Sequence, residues 1–220
     1  MTQVYADAAV TIDCLGPLGP IENNAYLIRP VGGGPVIVVD APAGAEAVVE
    51  ALGDTPVSAI VVTHSHRDHW DGFEVLRAHT AAPVYAGAGE TNLNPARGAL
   101  PLADGTELPV GTTTVRVIAT PGHTPGSICL LVGGAHLAGG ALLTGDTLFP
   151  GGPGHSRTPE ALQQLISSIT SRLHALPDAT MVLPGHGGGT TIGVAKAEYA
   201  VFAAKAHPST LSGDVSWLES

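Results

Sequence analysis

Short apolar segments constrain the fold of this chain more than any other feature of its sequence. Nine of them are rich in Val and Ile, are bounded by Gly or Pro and have the length of β-strands. They cover residues 9–13, 24–29, 35–40, 57–63, 83–86, 113–120, 127–133, 135–145 and 180–185. Helical patterns alternate with them, which predicts an α/β protein, and so many strands suit two packed sheets covered by helices.

Four segments have the pattern of amphipathic helices. In residues 158–174, Thr158 can cap the helix and Pro159 occupies the first helical position. Apolar side chains recur on one face of this segment, at Leu162, Leu165, Ile166, Ile169 and Leu173. The other helical segments are residues 43–52, 71–79 and 194–206. No linker interrupts the pattern, so a single domain over residues 1–220 is predicted.

The composition narrows the classes of protein that this chain can belong to. Its 220 residues are 44% hydrophobic and 13% charged, which favours a folded chain over a disordered one. The net charge of −10 argues against a nucleic-acid binder, because phosphate contacts need a basic surface. No signal peptide and no apolar run of membrane-spanning length is present. Cys14 and Cys129 form no CxxC pair. A cytoplasmic protein is therefore expected, and its oligomeric state is left open.

The segment from residue 60 to residue 72 carries the strongest chemical signal. An apolar strand ends at Thr63, and four potential metal ligands follow within six residues: His64, His66, Asp68 and His69. His64 and His66 can share a face, whereas the adjacent Asp68 and His69 are expected to diverge towards a second point nearby. This pattern suits two metals about 3.5–4 Å apart. Imidazole and carboxylate ligands without thiolate favour zinc, iron or manganese.

Three later loops repeat this design, each placing a single ligand type after a strand. They are residues 120–127 with His123, residues 143–149 with Asp146 and residues 183–187 with His186. Each loop alone is a weak signal, because Gly-His and Gly-Asp pairs are also common in turns. Four such loops at the strand ends of one α/β domain are a strong signal, since open sheets gather their sites there.

Together these motifs resemble the metallo-β-lactamase superfamily. They are HxHxDH (64–69), GHTPGS (122–127), GDTLF (145–149) and PGHG (184–187), in the family's order. The residues around the last two motifs look most like the glyoxalase II branch. The resemblance implies a four-layer αββα sandwich, with two mixed sheets flanked by helices. It also implies an enzyme with two divalent metal ions, most consistent with Zn²⁺, with iron or manganese as alternatives.

The resemblance also assigns roles to individual residues. It implies one metal held by His64, His66 and His123, a second held by Asp68, His69 and His186, and a bridging aspartate, Asp146. Asp68 is in addition the expected catalytic group, accepting a hydrogen bond from the nucleophile or carrying a proton. Asp40 matches a family aspartate that orients a ligand histidine or its loop. His155, which follows Asp146 closely, is a candidate for the mouth of the pocket.

The implied reaction is hydrolysis of a small-molecule thioester, an S-2-hydroxyacyl thiol, by a hydroxide that bridges the metals. A lactonase or another ester hydrolase is the first alternative, because it uses the same metal pair. A mononuclear iron persulfide dioxygenase and a non-catalytic binding protein are the others. Glyoxalase II proteins carry a further helical domain for glutathione, but only 34 residues follow His186 in this sequence, so the thiol is left open.

Overall fold

The computed structural model describes residues 1–90, 98–133 and 139–219, in which two mixed sheets face each other. The first sheet has seven strands that lie side by side in sequence order. Its strands are β1 (Thr2–Ala6), β2 (Val10–Leu18), β3 (Asn23–Pro30), β4 (Val36–Val39), β5 (Val57–Val62), β6 (Val84–Gly87) and β7 (Leu100–Leu102). Pairing is antiparallel from β1 to β4 and parallel from β4 to β7.

The second sheet has six strands, and a short hairpin follows one of them. The strands are β8 (Glu107–Val110), β9 (Thr113–Ala119), β10 (Ile128–Val132), β11 (Ala141–Gly145), β14 (Met181–Pro184) and β15 (Thr190–Thr191). Their order is β15-β14-β11-β10-β9-β8, and only β11 and β14 pair in parallel within the described ranges. The hairpin consists of β12 (Leu148–Phe149) and β13 (Gly152–Pro153).

Helices cover the outer face of each sheet. They are α1 (Glu46–Leu52), α2 (Phe73–His79), α3 (Pro159–Ser168) and α4 (Ile192–Ala203). One apolar cluster fills the space between the sheets, a second joins the first sheet to α1 and α2, and a third joins the second sheet to α3 and α4. Strands β4 and β10 are buried along their whole length because both of their faces are covered. The predicted four-layer αββα sandwich is therefore confirmed.

The predicted elements agree with the structure except at certain ends and edges. Each of the nine predicted strands overlaps an observed one, although residues 135–138 of the eighth lie outside the described ranges. Strands β1, β7, β8 and β15 and the hairpin were not predicted. Among the helices in the described ranges, none is both long enough and apolar enough to span a bilayer.

The helix predicted over residues 158–174 changes its winding half-way. After α3 the chain continues as a π-helical turn, Ile169–Leu173, closed by a 2.9 Å hydrogen bond from the His174 amide to the Ile169 carbonyl. The hydroxyls of Thr170 and Ser171 donate to backbone carbonyls one turn earlier, at 2.8 and 2.6 Å. Such bonds compete with the regular i to i−4 ladder, which gives a local reason for the wider turn.

Candidate metal centre

The four predicted loops meet at one edge of the sandwich. The HxHxDH loop leaves β5, the Asp146 loop leaves β11 and the His186 loop leaves β14, so all three lie at carboxyl ends of strands. Backbone hydrogen bonds tie the loops together, one between the two sheets and one within the second sheet. Ile128 donates to the carbonyl of Thr63 at 3.0 Å, and Gly185 donates to that of Gly145 at 2.9 Å. Sheet pairing thus brings together residues that are far apart in sequence.

Three histidines form the first group of potential ligands. Nε2 of His64 lies 3.2 Å from Nδ1 of His66 and 3.2 Å from Nε2 of His123. The other ring nitrogen of His123, Nδ1, lies 2.8 Å from the carbonyl oxygen of His155. A carbonyl only accepts hydrogen bonds, so Nδ1 carries the proton and Nε2 presents its lone pair to the centre.

Asp68, His69 and His186 form the second group. Oδ2 of Asp68 lies 3.2 Å from Nε2 of His69 and 3.3 Å from Nε2 of His186. Asp68 and His69 do not diverge from each other, and both reach the second point that the sequence analysis expected for them. The chain tightens into a 3₁₀ turn over Arg67–His69, and both side chains reach the same group.

Asp146 lies between the two groups. Its Oδ1 is 3.3 Å from Nε2 of His69, and its Oδ2 is 3.5 Å from Nε2 of His186 and 3.7 Å from Nε2 of His123. Gly185 passes directly over this carboxylate. A Cβ at Gly185 would overlap both Oδ1 of Asp146 and the ring of His69, which accounts for glycine in the PGHG motif.

Two atoms of this cluster test whether its residues fit a cation. Nε2 of His69 and Oδ1 of Asp146 are buried and make no hydrogen bond of acceptable geometry to the described residues, although they are 3.3 Å apart. Buried polar atoms without a partner are costly unless something else binds them. Imidazole and carboxylate donors without thiolate are also the donors that zinc, iron and manganese accept. The residues present fit divalent cations.

Asp40 supports the HxHxDH loop from behind. Its Oδ2 lies 2.8 Å from Nδ1 of His69 and accepts a 2.9 Å hydrogen bond from the Thr63 hydroxyl, while Oδ1 accepts one of 2.8 Å from the Thr63 amide. The residue is buried and has a φ of 62°, in the left-handed region that Asp tolerates better than most residues. Asp40 therefore contacts His69, one of the histidines predicted to bind metal, and its role in orienting a metal ligand stays a prediction.

The sequence analysis missed two asparagines and a tyrosine at the start of β3. Nδ2 of Asn23, which is 1% exposed, donates to Oδ2 of Asp68 at 2.8 Å. Asn24 and Tyr26 both donate to the carbonyl of Pro184, at 3.0 and 2.6 Å, and so hold the loop that carries His186. The two polar residues at the start of the buried strand β3 could have indicated a functional role. The sequence alone did not show which loop their side chains would contact.

Without a bound cation, the histidines of the two groups have pKa values shifted in opposite directions: those of the first group are lowered and those of the second group are raised. Burial and the neighbouring His69 hold the pKa of His64 well below its usual range, and burial and Arg157 lower that of His66. Burial acts in the same direction on His186, but Asp146 and Asp68 outweigh it and raise its pKa to about 10. Burial alone would raise the pKa of Asp68, but hydrogen bonds with His186 and His69 keep it far below its ordinary value. A cation entering the second group must therefore displace a proton.

Three cavities have side chains of the cluster in their lining. The smallest, of about 390 Å³, includes Asp68, and the linings of the two larger ones share only His123. We name the first, of about 680 Å³, the arginine cavity; it includes His66, His123, Arg67 and Arg157 in its lining. We name the second, of about 600 Å³, the acidic cavity; it includes Asp146, His186, Asp214 and Glu219. His155 lies in the acidic cavity, where its half-exposed ring is 2.9 Å from Asp214.

The C-terminal segment supports the loop that carries His155. Gly213 and Ser156 exchange two backbone hydrogen bonds, of 3.0 and 2.8 Å, and the Trp217 amide donates to the carbonyl of Gly151 at 2.8 Å. The Trp217 side chain is fully buried in the apolar cluster below α3 and α4. Through this loop the segment also fixes the His155 carbonyl that orients His123.

The family model described as the metallo-β-lactamase superfamily matches residues 18–186, which include all seven clustered side chains. This chain belongs to the metallo-β-lactamase superfamily. Hydroxyacylglutathione hydrolase of Cereibacter sphaeroides is 38% identical over 181 residues, covering 80% of this chain and 65% of that protein. The chain thus spans slightly less than two thirds of the relative's length. Several relatives with this name support the predicted glyoxalase II-like branch.

Two solved structures at 28% identity share this fold. TTHA1623 in a di-iron-bound form has a TM-score of 0.70 and 28% identity, covering 84% of this chain and 96% of its own. ETHE1 from Myxococcus xanthus also has a TM-score of 0.70 and 28% identity, covering 88% of this chain and 86% of its own. Both similarities extend through most of the sandwich.

Proposed function

We propose that this superfamily member is a metal-dependent hydrolase that cleaves an acyl thioester, with an S-2-hydroxyacyl thiol as the substrate class. The observation that carries the proposal is the convergence of five imidazoles and two carboxylates at one edge of the sandwich, where His64, His69 and His123 are buried. The similarity to hydroxyacylglutathione hydrolases supports the choice of a thioester. The substrate is a small molecule that reaches the cluster through the two larger cavities.

In this proposal the two groups hold one divalent cation each. His64, His66 and His123 form the first set of ligands. Asp68, His69 and His186 form the second set. Asp146 would be a ligand common to both sets, because its carboxylate oxygens lie 3.3–3.7 Å from ring nitrogens of both. Zinc is the metal that we propose first, and iron is the alternative favoured by the di-iron form of TTHA1623.

When bound by these residues, divalent cations would lower the pKa of a water molecule and would act as a Lewis acid for the substrate carbonyl. The protein's own groups orient this chemistry. Asp68 has a low pKa and is fixed by Asn23, so its carboxylate stays ionised and can accept a hydrogen bond from the attacking water or take its proton. Asp40 fixes the ring of His69, and the His155 carbonyl fixes that of His123.

A comparison of two substrates tests the proposal. We expect the zinc-loaded protein to hydrolyse S-lactoylglutathione faster than an acyl-homoserine lactone, measured as kcat/KM, and to lose activity with a chelator and regain it with added zinc. Faster lactone opening would favour the ester alternative on the same residues. Failure to hydrolyse either compound in the zinc-, iron- or manganese-loaded protein would rule out the hydrolase.

The persulfide dioxygenase is the second candidate, because the similarity to ETHE1 from M. xanthus leaves it open. That activity needs one iron held by two histidines and an aspartate, whereas this chain brings seven ligand-type side chains together. Oxygen consumption by the iron-loaded protein with glutathione persulfide separates the two activities. We expect none above the rate without protein, and sustained consumption would favour the dioxygenase.

A further inference from the structure

The loop that carries His123 is also held from the first sheet. This loop is the GHTPGS motif, residues 122–127, and it joins β9 to β10 in the second sheet. Glu90 follows the end of β6 in the first sheet. Its Oε1 accepts a hydrogen bond from the hydroxyl of Thr124, the residue next to His123. A carboxylate from one half of the sandwich therefore contacts the neighbour of a potential metal ligand in the other half.

The backbones of these two segments lie against each other. A Cβ at Gly126 would overlap the amide nitrogen of Glu90, and a Cβ at Gly87 would overlap the carbonyl oxygen of Gly126. Glycine at both positions permits this close approach. The Glu90 amide also donates a 2.9 Å hydrogen bond to the Gly87 carbonyl, which ties it to β6. Glu90 therefore reaches Thr124 from a backbone position that is already fixed.

Two hydroxyl groups continue this contact into the loop. The hydroxyls of Thr124 and Ser127 lie 2.7 Å apart, and the Thr124 amide donates to the Ser127 hydroxyl at 3.1 Å. Both residues are almost fully buried. Because a carboxylate only accepts hydrogen bonds, Thr124 donates its one hydroxyl proton to Glu90 and accepts from Ser127. The hydrogen bonds thus run in one direction, from Ser127 through Thr124 to the carboxylate of Glu90.

The second carboxylate oxygen of Glu90 is unfavourable for folding. This atom, Oε2, is buried and has no hydrogen-bond partner among the residues that the structure describes. An unpaired buried acceptor opposes folding by about 1–3 kcal/mol. Within the described part of the chain, stability alone therefore does not account for a carboxylate at this position. A contact kept in spite of that penalty indicates a role in the site.

We propose that Glu90 is a positioning residue, which acts through Thr124 to hold His123 where it completes the first group of ligands. This inference rests on the proposed metal-dependent hydrolysis. The His155 carbonyl orients the ring of His123, whereas Glu90 fixes the backbone of the loop beside it. A metal ligand needs both its ring orientation and its backbone position to be fixed. Loss of Glu90 should therefore weaken the first group and leave the second group unaffected.

A double-mutant cycle tests this assignment. Glu90→Ala removes the acceptor, and Thr124→Val removes the hydroxyl while keeping the size of the side chain. Each change should raise at least one cobalt(II) dissociation constant of the chain by about tenfold, and lower kcat/KM for S-lactoylglutathione by a similar factor. The constants are measured from the visible absorption of bound cobalt against a competing chelator. Because both changes break the same contact, the double variant should lose no more than either single variant.

Two further variants serve as controls. Glu90→Gln keeps an oxygen that can accept from Thr124, so its cobalt binding should stay within about threefold of the wild type. Glu107→Ala removes a carboxylate from an exposed position on β8 and should change nothing.

Three results would overturn the role of Glu90, even if the melting temperature of Glu90→Ala falls. They are unchanged cobalt binding in Glu90→Ala, losses that add up in the double variant, and a loss in Glu90→Gln as large as that in Glu90→Ala. Absence of cobalt binding and of thioester hydrolysis in the wild type would instead contradict the proposed function itself.

Discussion

Replacement of Asp146 by alanine should lower kcat/KM for thioester hydrolysis by about a thousandfold, or roughly 4 kcal/mol of transition-state stabilisation. The carboxylate lies between the two groups of potential ligands, so its loss affects both proposed cations rather than one. Bound zinc should fall below that of the wild type, measured by elemental analysis of protein loaded and desalted in parallel. The far-ultraviolet circular dichroism spectrum should keep its shape, because Asp146 belongs to a loop rather than to a strand or helix.

The matched control is Asp104→Ala. Asp104 is also paired, through two contacts of 2.6 and 2.7 Å with Arg172, but the pair is solvent-exposed and contributes little to stability. Its turnover and zinc content should equal those of the wild type. Wild-type activity in Asp146→Ala would contradict the bridging role, and an equal loss in Asp104→Ala would show that removal of any acidic side chain has the same effect.

Replacement of Trp217 by alanine should have the largest effect on stability. The side chain is fully buried and packs against Tyr199 and His174, at ring centroid distances of 5.3 and 6.1 Å. Removing a buried Trp costs about 3–5 kcal/mol of unfolding free energy. In a chain of this size that lowers the melting temperature by roughly 6–20 °C. Thermal and urea denaturation of the metal-free protein measure both quantities.

Leu218 provides the control for Trp217 because it is the next residue and is 50% exposed. Leu218→Ala should change the unfolding free energy by less than about 0.5 kcal/mol. Trp217→Ala should also weaken zinc binding, since the loop that positions the His155 carbonyl loses its anchor. A Trp217→Ala protein as stable as the wild type would mean that the C-terminal segment does not pack as described.

The sequence predicted the parts of the site that local patterns encode. His64, His66, Asp68 and His69 stand together after one strand, so their cluster was visible without a fold. Asn23 was not, because its contact with Asp68 spans 45 positions and depends on how β3 lies beside the HxHxDH loop. Arg157 was missed for a related reason, since only the folded chain shows that this arginine lines a cavity together with His66 and His123.

The fold was predictable to a similar extent. Long apolar strands such as β3 and β10 were recognised because burial selects Val, Ile and Leu. The edge strand β1 escaped prediction because its residues are exposed or half-buried and carry no such pattern. The π-helical turn after α3 escaped as well, since hydrogen bonds made by Thr170 and Ser171, not apolar periodicity, accompany it. Edges and irregular turns depend on contacts that periodicity does not report.

The number of cations that one chain binds tests the central claim most directly. Metal-free protein can be titrated with zinc against a competing chelator, and the metal bound per chain is then read at saturation. We predict two zinc ions per wild-type chain. Saturation at one ion, or no binding that withstands the chelator, would contradict a centre in which Asp146 joins two groups of ligands.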